Sequence, residues 1–189
     1  MHLNYFFTLV AKMTMNTQTV ASTKAVFDEE KIEKLRKQYL NPIMFPLGML
    51  GFLPLGFVTG LRVTQFTENS CSVTAPYKYM NKNPFKTTYW AVLGMAAEMA
   101  SGAILLSYSK NVTPSVATFV VGCDSKFVNR ALGVTTFVCN DGALIKSEVQ
   151  KASESGEART FTTATNGYSE DGKLVAEFIF TWSIKGRKG

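Results

Sequence analysis

Hydrophobic and polar positions along residues 174–185 alternate with a period of two. Ala176, Phe178, Phe180, Trp182 and Ile184 fall on one face, and Glu177, Thr181 and Ser183 on the other, the pattern of a strand with one buried side. The same reading predicts strands over 61–67, 70–78, 116–127, 133–139 and 159–165. Glu68-Asn69-Ser70 and Ser169-Glu170-Asp171-Gly172 supply hairpin turns. Helical spacing appears in three places. Asp28 caps a helix with Ile32, Leu35 and Tyr39 on one face, ending before Asn41-Pro42. Asn140-Asp141 caps another, with Ile145, Val149 and Ala152 inward and Gly156 as its stop. A third begins near Thr87. Helices and strands do not alternate, so the class is α+β, with an antiparallel sheet of about six strands.

Two stretches break the ordinary pattern. Residues 42–61, PIMFPLGMLGFLPLGFVTGL, carry no charge over twenty positions, but also hold three prolines and four glycines. The prolines disfavour one continuous helix by about 3 kcal/mol each, so broken short helices over an apolar site are expected rather than a membrane span. The second stretch is AVLGMAAEMASGAILL, residues 91–106. Eight of its sixteen residues are Ala, Gly or Ser, and its one charge is Glu98. No polar stripe exists, so this helix is surrounded by protein, and its small residues let sheet backbone approach closely. A buried carboxylate must be paired, protonated or placed at an opening. An internal hydrogen bond or a salt bridge to a strand lysine is the structural reading; a cleft where the helix leaves its wrapping is the functional one.

Composition narrows the chemistry. The 189 residues suffice for one domain with a core. The single histidine is His2, which removes imidazole-based triads and most catalytic zinc sites from the body of the protein. Acid–base work falls to carboxylates, lysines or tyrosines. Cys71, Cys123 and Cys139 are an odd number without CxxC spacing. They read as buried small residues in strands, without disulfide or metal, in a reducing cytoplasm. The net charge of +6 is scattered and reads as solvated surface first, an anionic ligand second and nucleic acid last. The apolar N-terminus lacks a charged region before it and reads as a flexible leader, not a signal peptide. The expected organisation is a leader over 1–27, a helical, apolar segment over 28–58, the main domain over 59–185 and a basic tail over 186–189.

A long central helix wrapped by antiparallel sheet, with Asn83 followed fifteen residues later by Glu98 in NPFKTTYWAVLGMAAE, resembles the hotdog-fold acyl-CoA thioesterases. SKFVNRALG, residues 125–133, resembles their next strand and turn. The helices near 28 and 140–155 resemble an uncharacterised thioesterase-like branch. The resemblance spans roughly residues 59–184. It implies hydrolysis of acyl thioesters, with acyl-CoA or an acyl carrier as substrate and no cofactor. It places Glu98 as general base or nucleophile, Asn83 as the group orienting the carbonyl or water, and the backbone N–H near Trp90 as oxyanion donor. Asn83 and Glu98 stand on the order of 15–20 Å apart within one chain at ~1.5 Å per helical residue. The resemblance thus implies a homodimer, or dimer of dimers, with composite sites. Tyr89 and Trp90 stand where members carry small residues and are expected to narrow the acyl channel. Gly102 stands where some carry a hydroxyl, leaving Ser101 the nearest. Lys126, Arg130 and Lys82 are the candidates for nucleotide phosphates. The rival expectation is a non-catalytic acyl- or lipid-binding or dimerisation module. Nucleic acid is not an expected partner, and membrane contact is the weakest one.

Overall fold

The computed structural model describes residues 24–187. Most of the expected leader, and the last two residues of the expected tail, lie outside the described residues. In chain order the elements are β1 (Val26–Phe27), α1 (Glu29–Leu40), α2 (Met44–Phe52), α3 (Pro54–Thr59), β2 (Arg62–Phe66), β3 (Cys71–Ala75), α4 (Trp90–Ser109), β4 (Val112–Thr113), β5 (Val116–Phe127), β6 (Thr135–Cys139), α5 (Gly142–Ser155), β7 (Ala158–Ser169) and β8 (Leu174–Gly186). Six strands form one antiparallel sheet in the order β2-β3-β6-β7-β8-β5. Regular structure starts inside the expected leader, because Val26 and Phe27 pair with Thr113 and Val112 in a separate two-stranded ribbon.

The sheet curls around α4, as the hotdog resemblance implies. Fourteen of the twenty residues of α4 are buried. The helix is long and apolar enough to cross a bilayer, yet most of it is enclosed by the fold. Its small residues set the approach: a Cβ on Gly94 would lie 3.5 Å from the ring of Phe178, and one on Gly102 3.4 Å from that of Trp182. The inward face of β8 is the expected one, Ala176, Phe178, Phe180, Trp182 and Ile184, all buried. Its aromatics run as a ladder, with Phe178 and Phe180 stacked at 5.9 Å and Phe137 of β6 edge-on to Phe178 at 5.8 Å. The Trp182 indole N–H donates to Thr163 Oγ1 at 3.0 Å, so this buried polar atom is satisfied.

Several local expectations need correction. Asp28 caps α1, accepting from the Lys31 N–H at 3.1 Å, but Asp141 does not cap α5. Its carboxylate accepts instead from the Ala164 N–H of β7 at 2.7 Å, a tertiary partner that outcompetes the local one. The apolar stripe of α1 contains a charge: Arg36 is buried, with Nη2 donating to the Tyr108 hydroxyl at 3.1 Å. That hydroxyl donates onward to the Glu68 carbonyl. Glu148 on α5 is also buried, held by Lys151 at 2.6 Å and Arg159 at 2.9 Å. Its carboxyl lies below the usual range, chiefly through the Lys151 hydrogen bond.

Among the cysteines, Cys71 and Cys139 are buried and face each other across β3 and β6, but Cys123 is exposed on β5. It falls in the outer part of β5, where residues 123–127 are all exposed. Strand β5 pairs with β8 on one side only. Its open edge carries exposed Phe119, Val121 and Phe127, an apolar edge of the kind that proteins normally cover.

Residues 42–61 fold as expected into two short helices, α2 and α3. Met49 and Phe45 enter the core, while Ile43, Met44, Leu47, Leu50, Phe52, Leu55 and Val58 remain exposed. The left-handed Gly60, at φ +75°, ends α3.

Gly167 offers a test of the packing. It sits opposite Phe137 in the β6–β7 register, and a Cβ there would lie 2.4 Å from the Phe137 ring. Gly167→Val should lower stability by about 1–3 kcal/mol through overpacking, read as a lower urea midpoint at unchanged m. An unchanged midpoint would mean that the ring is free to move.

Candidate active site

The loop between β3 and α4 positions the first half of the site. Asn81 is fully buried, and its amide donates to the carbonyls of Thr59 at 2.9 Å and Pro76 at 2.6 Å. Its own backbone carbonyl accepts the Tyr89 N–H at 2.7 Å. This side chain ties the ends of α3 and β3 together, and its backbone holds the entry to α4. Sequence reasoning passed over it, although it belongs to the loop segment Asn81-Lys82-Asn83-Pro84. The Thr88 N–H adds a bond to the Ala131 carbonyl at 2.9 Å.

Asn83 folds into the same loop. Its Oδ1 accepts from the N–H groups of Phe85 at 3.0 Å and Thr87 at 3.1 Å, and its Nδ2 donates to Thr87 Oγ1 at 2.8 Å. The side chain is therefore largely spent on shaping the loop, with one amide proton left over. Lys86 takes a left-handed conformation at φ +57°, uncommon for a residue with a side chain.

Helix α4 begins without a side-chain cap. Among the described residues the N–H groups of Trp90 and Ala91 have no acceptor, whereas that of Val92 bonds the Tyr89 carbonyl. Free first-turn amides at a long helix attract developing negative charge. They adjoin a cavity of about 450 Å³ lined by Asn83, Thr87, Trp90, Leu93, Phe127 and Arg130, among others. Arg130 lies at its rim, with Nη2 donating to the Phe85 carbonyl at 3.0 Å. Trp90 is 56% exposed and is one of the walls of this cavity. Tyr89 packs beside it at 5.8 Å.

Glu98 forms the second half, and it sits elsewhere. It is half-buried on α4, eight residues beyond Trp90 and so ~12 Å along the axis. Among the described residues its carboxylate has neither a hydrogen-bond donor nor an ion-pair partner, so the internal salt bridge considered above does not form. Burial pushes its carboxyl above the usual range. The side chain folds back over Gly102, where a Cβ would come 3.0 Å from Oε1. A hydroxyl-bearing residue at 102 would compete for that space, which gives the glycine a positive reason. Tyr39 of α1 is pushed up to about 12 by burial first, then by Cys71 and Glu98, so its phenol stays protonated near the carboxylate.

The remaining expected residues divide. Ser101 is fully buried, one turn on from Glu98, and its hydroxyl donates to the Glu98 carbonyl at 3.2 Å. Lys126 is exposed on β5 opposite Glu177 of β8 and lies off the cavity lining. Lys82 sits over the Tyr77 ring at 5.4 Å. Asn83, Trp90 and Arg130 are thus brought together, and Glu98 is held apart from them. No cluster of three or more metal-ligating side chains occurs among the described residues.

No protein-family model matches the chain, and no curated protein matches it. Solved structures do. A Pseudomonas aeruginosa protein of unknown function, named a probable thioesterase, aligns at a TM-score of 0.66 and 18% identity, over 82% of this chain and 95% of its own. A protein from the phenylacetic acid degradation operon of E. coli aligns at 0.55 and 14%, over 82% and 96%. A thioesterase from Haemophilus influenzae aligns at 0.52 and 15%, over 74% and 88%. At these identities the likeness is one of fold, and it agrees with the strand order and the enclosed helix described above. The chain has the hotdog fold.

Proposed function

We propose that the protein hydrolyses acyl thioesters, acyl-CoA foremost, at two symmetric sites shared between the subunits of a homodimer. The observation that carries this reading is Glu98, an unpartnered, half-buried carboxylate on an otherwise neutral helix. A carboxylate kept without a partner lowers stability, and catalysis is a reason to keep it.

Within one chain Glu98 and the free amides of α4 are too far apart to share a carbonyl. A second copy brings them together if the two α4 helices run antiparallel. The open β5 edge, with exposed Phe119, Val121 and Phe127, supports such pairing. In each composite site Glu98 of one subunit takes a proton from water. The resulting hydroxide attacks the thioester carbonyl, whose oxygen gains negative charge beside the Trp90 N–H of the other subunit. The carbon–sulfur bond then breaks, and the thiolate leaves and is protonated. Glu98 attacking the carbonyl directly, through an anhydride that water cleaves, gives the same products. Water attacking the Glu98 carbonyl of that anhydride during a single turnover in ¹⁸O-water would label Glu98, which the first route never does. Arg130 at the cavity rim is the residue best placed for a nucleotide phosphate; Lys126 and Lys82 would contribute from further out.

Glu98→Gln should lower turnover about 10²–10⁴-fold on an acyl-CoA panel. In the parent, the rate should rise with pH through a value above the ordinary carboxylate range, since Glu98 must be ionised. The same substitution should raise Tm at neutral pH. The group ionises at a higher pH folded than unfolded, so the folded state loses stability as pH climbs from the unfolded value through the folded one. Undiminished turnover in Glu98→Gln would remove the assigned base, and acyl-CoA binding without turnover in the parent would leave a binding module.

Mixing subunits tests the composite site. Glu98→Gln and Asn83→Ala dimers, each impaired, should recover on reassortment toward about a quarter of parental activity, because half the chains enter heterodimers with one intact site in two. No recovery, with exchange verified by mass, would place both halves on one chain.

A further inference from the structure

We propose that the outward face of α2 and α3 docks on an anionic phospholipid bilayer, and that the protein rests there without spanning it. No charged residue occurs between Lys37 and Arg62, and seven large apolar side chains from Ile43 to Val58 are exposed. The two helices pack on each other, and the turn at Tyr79–Asn81 packs against α3 and adds exposed Tyr79 and Met80. The hydrophobicity of this run by itself fits a core segment; its exposure fits a contact surface. The face lies apart from the subunit contact proposed above. Helix α1, which leads into α2, packs against β2, and β2 and β5 are the two opposite edges of the sheet.

The chemistry of the face selects lipid. An interface with another protein carries about one hydrogen bond per 100–200 Å², but from Pro42 to Val58 no side chain bears a nitrogen or an oxygen. The backbone is closed on itself as well. Pro42, Pro46 and Pro54 have no N–H to satisfy. At the entry, Asn41 Oδ1 accepts from the N–H groups of Ile43 at 3.0 Å and Met44 at 2.8 Å. At the exit, the Thr59 hydroxyl donates to the Leu55 carbonyl at 2.7 Å, and the N–H groups of Gly60 and Leu61 return to the carbonyls of Phe57 and Gly56. Internal satisfaction of this kind is what hydrocarbon demands of a backbone. Helices of nine and six residues are ~14 Å and ~9 Å long, against ~30 Å of hydrocarbon, so they lie in the interface and do not cross it.

Charge around the face selects the headgroup. Lys34, Lys37 and Lys110 line a groove of about 1010 Å³ together with Met44 and Phe52. On the flank of α3, a Cβ on Gly60 would lie 2.8 Å from Lys78 Nζ. Glu30 and Glu33 share the groove, but Glu33 is already engaged by Arg36 and Lys37. Lysines at the border of an apolar face lay their stems along it and present their ammonium groups to lipid phosphates.

Sedimentation of the full-length protein with vesicles tests the face, and no reading depends on thioester turnover. Vesicles of phosphatidylcholine with about a third phosphatidylserine should bind it at least about tenfold more tightly than phosphatidylcholine alone, and less so as salt is raised. The double variant Leu47→Glu, Leu50→Glu should lower binding to both about tenfold or more. Leu144→Glu, at an exposed apolar position on α5, should bind as the parent does. Lys34→Gln and Lys78→Gln should each weaken binding to the anionic vesicles about fivefold and leave the neutral ones unaffected. If the double variant fails to fold, Leu50→Trp reads the contact directly, because lipids with brominated chains should quench its added emission. Equal binding by the Leu47/Leu50 and Leu144 variants, no preference for anionic vesicles, or no quenching would overturn the proposal. So would a parent protein that stays in solution with both compositions, whether a second copy, another protein or the chain's own first residues cover the face instead.

Discussion

The close approach of α4 to its sheet constrains the rest of this structure. A helix enclosed on most sides has to be thin and neutral, since each large side chain would push the sheet away and each charge would lose its water. A Cβ on Gly94 or Gly102 would lie 3.5 Å from Phe178 or 3.4 Å from Trp182, so the aromatic ladder of β8 lies over the helix where it has least side chain. The same contact that excludes bulk isolates Glu98. At its half-buried position the carboxylate stands without a counter-ion among the described residues.

The site's chemistry is divided by the length of that helix. Its free amides belong to the first turn, and the carboxylate lies more than two turns further on. The loop from Asn81 to Thr88 fixes the first half through buried side-chain and backbone hydrogen bonds, while the Trp182 ring lies beside the second, over Gly102. These halves are rigid for different reasons: one by polar satisfaction, the other by packing. Joining them would need a second helix of the same kind, and the apolar edge of β5 is one exposed part of this surface that contact would cover.

The helices outside the sheet play distinct parts. α5 packs Ile145, Val149 and Ala152 inward and secures itself through Glu148, Lys151 and Arg159. α1 buries Arg36 against Tyr108 and Phe66, anchoring the segment that carries α2 and α3. Proline and glycine break the 42–61 run into two short helices that can follow the outside of the fold. On α2 the core-facing Phe45 and Met49 alternate with the outward Leu47 and Leu50.

Sequence alone determined the features governed by periodicity and local chemistry. The alternation in β8, the neutrality of α4, the broken helices of 42–61 and the Asp28 cap all follow from neighbours within a few residues, and the spacing of Asn83 and Glu98 already separates them along one helix. Tertiary structure decided where a distant partner wins. Asp141 turns to a strand amide, Arg36 finds Tyr108, Cys123 lies on the exposed outer part of β5, and Ser101 faces the interior. The apolar site expected beneath 42–61 takes its walls from α1, α2 and the last turn of α4, and no pattern within one element encodes a space between three. The sequence specifies which face of each element is apolar; which faces meet, and which are left apart, is a property of the assembled layers.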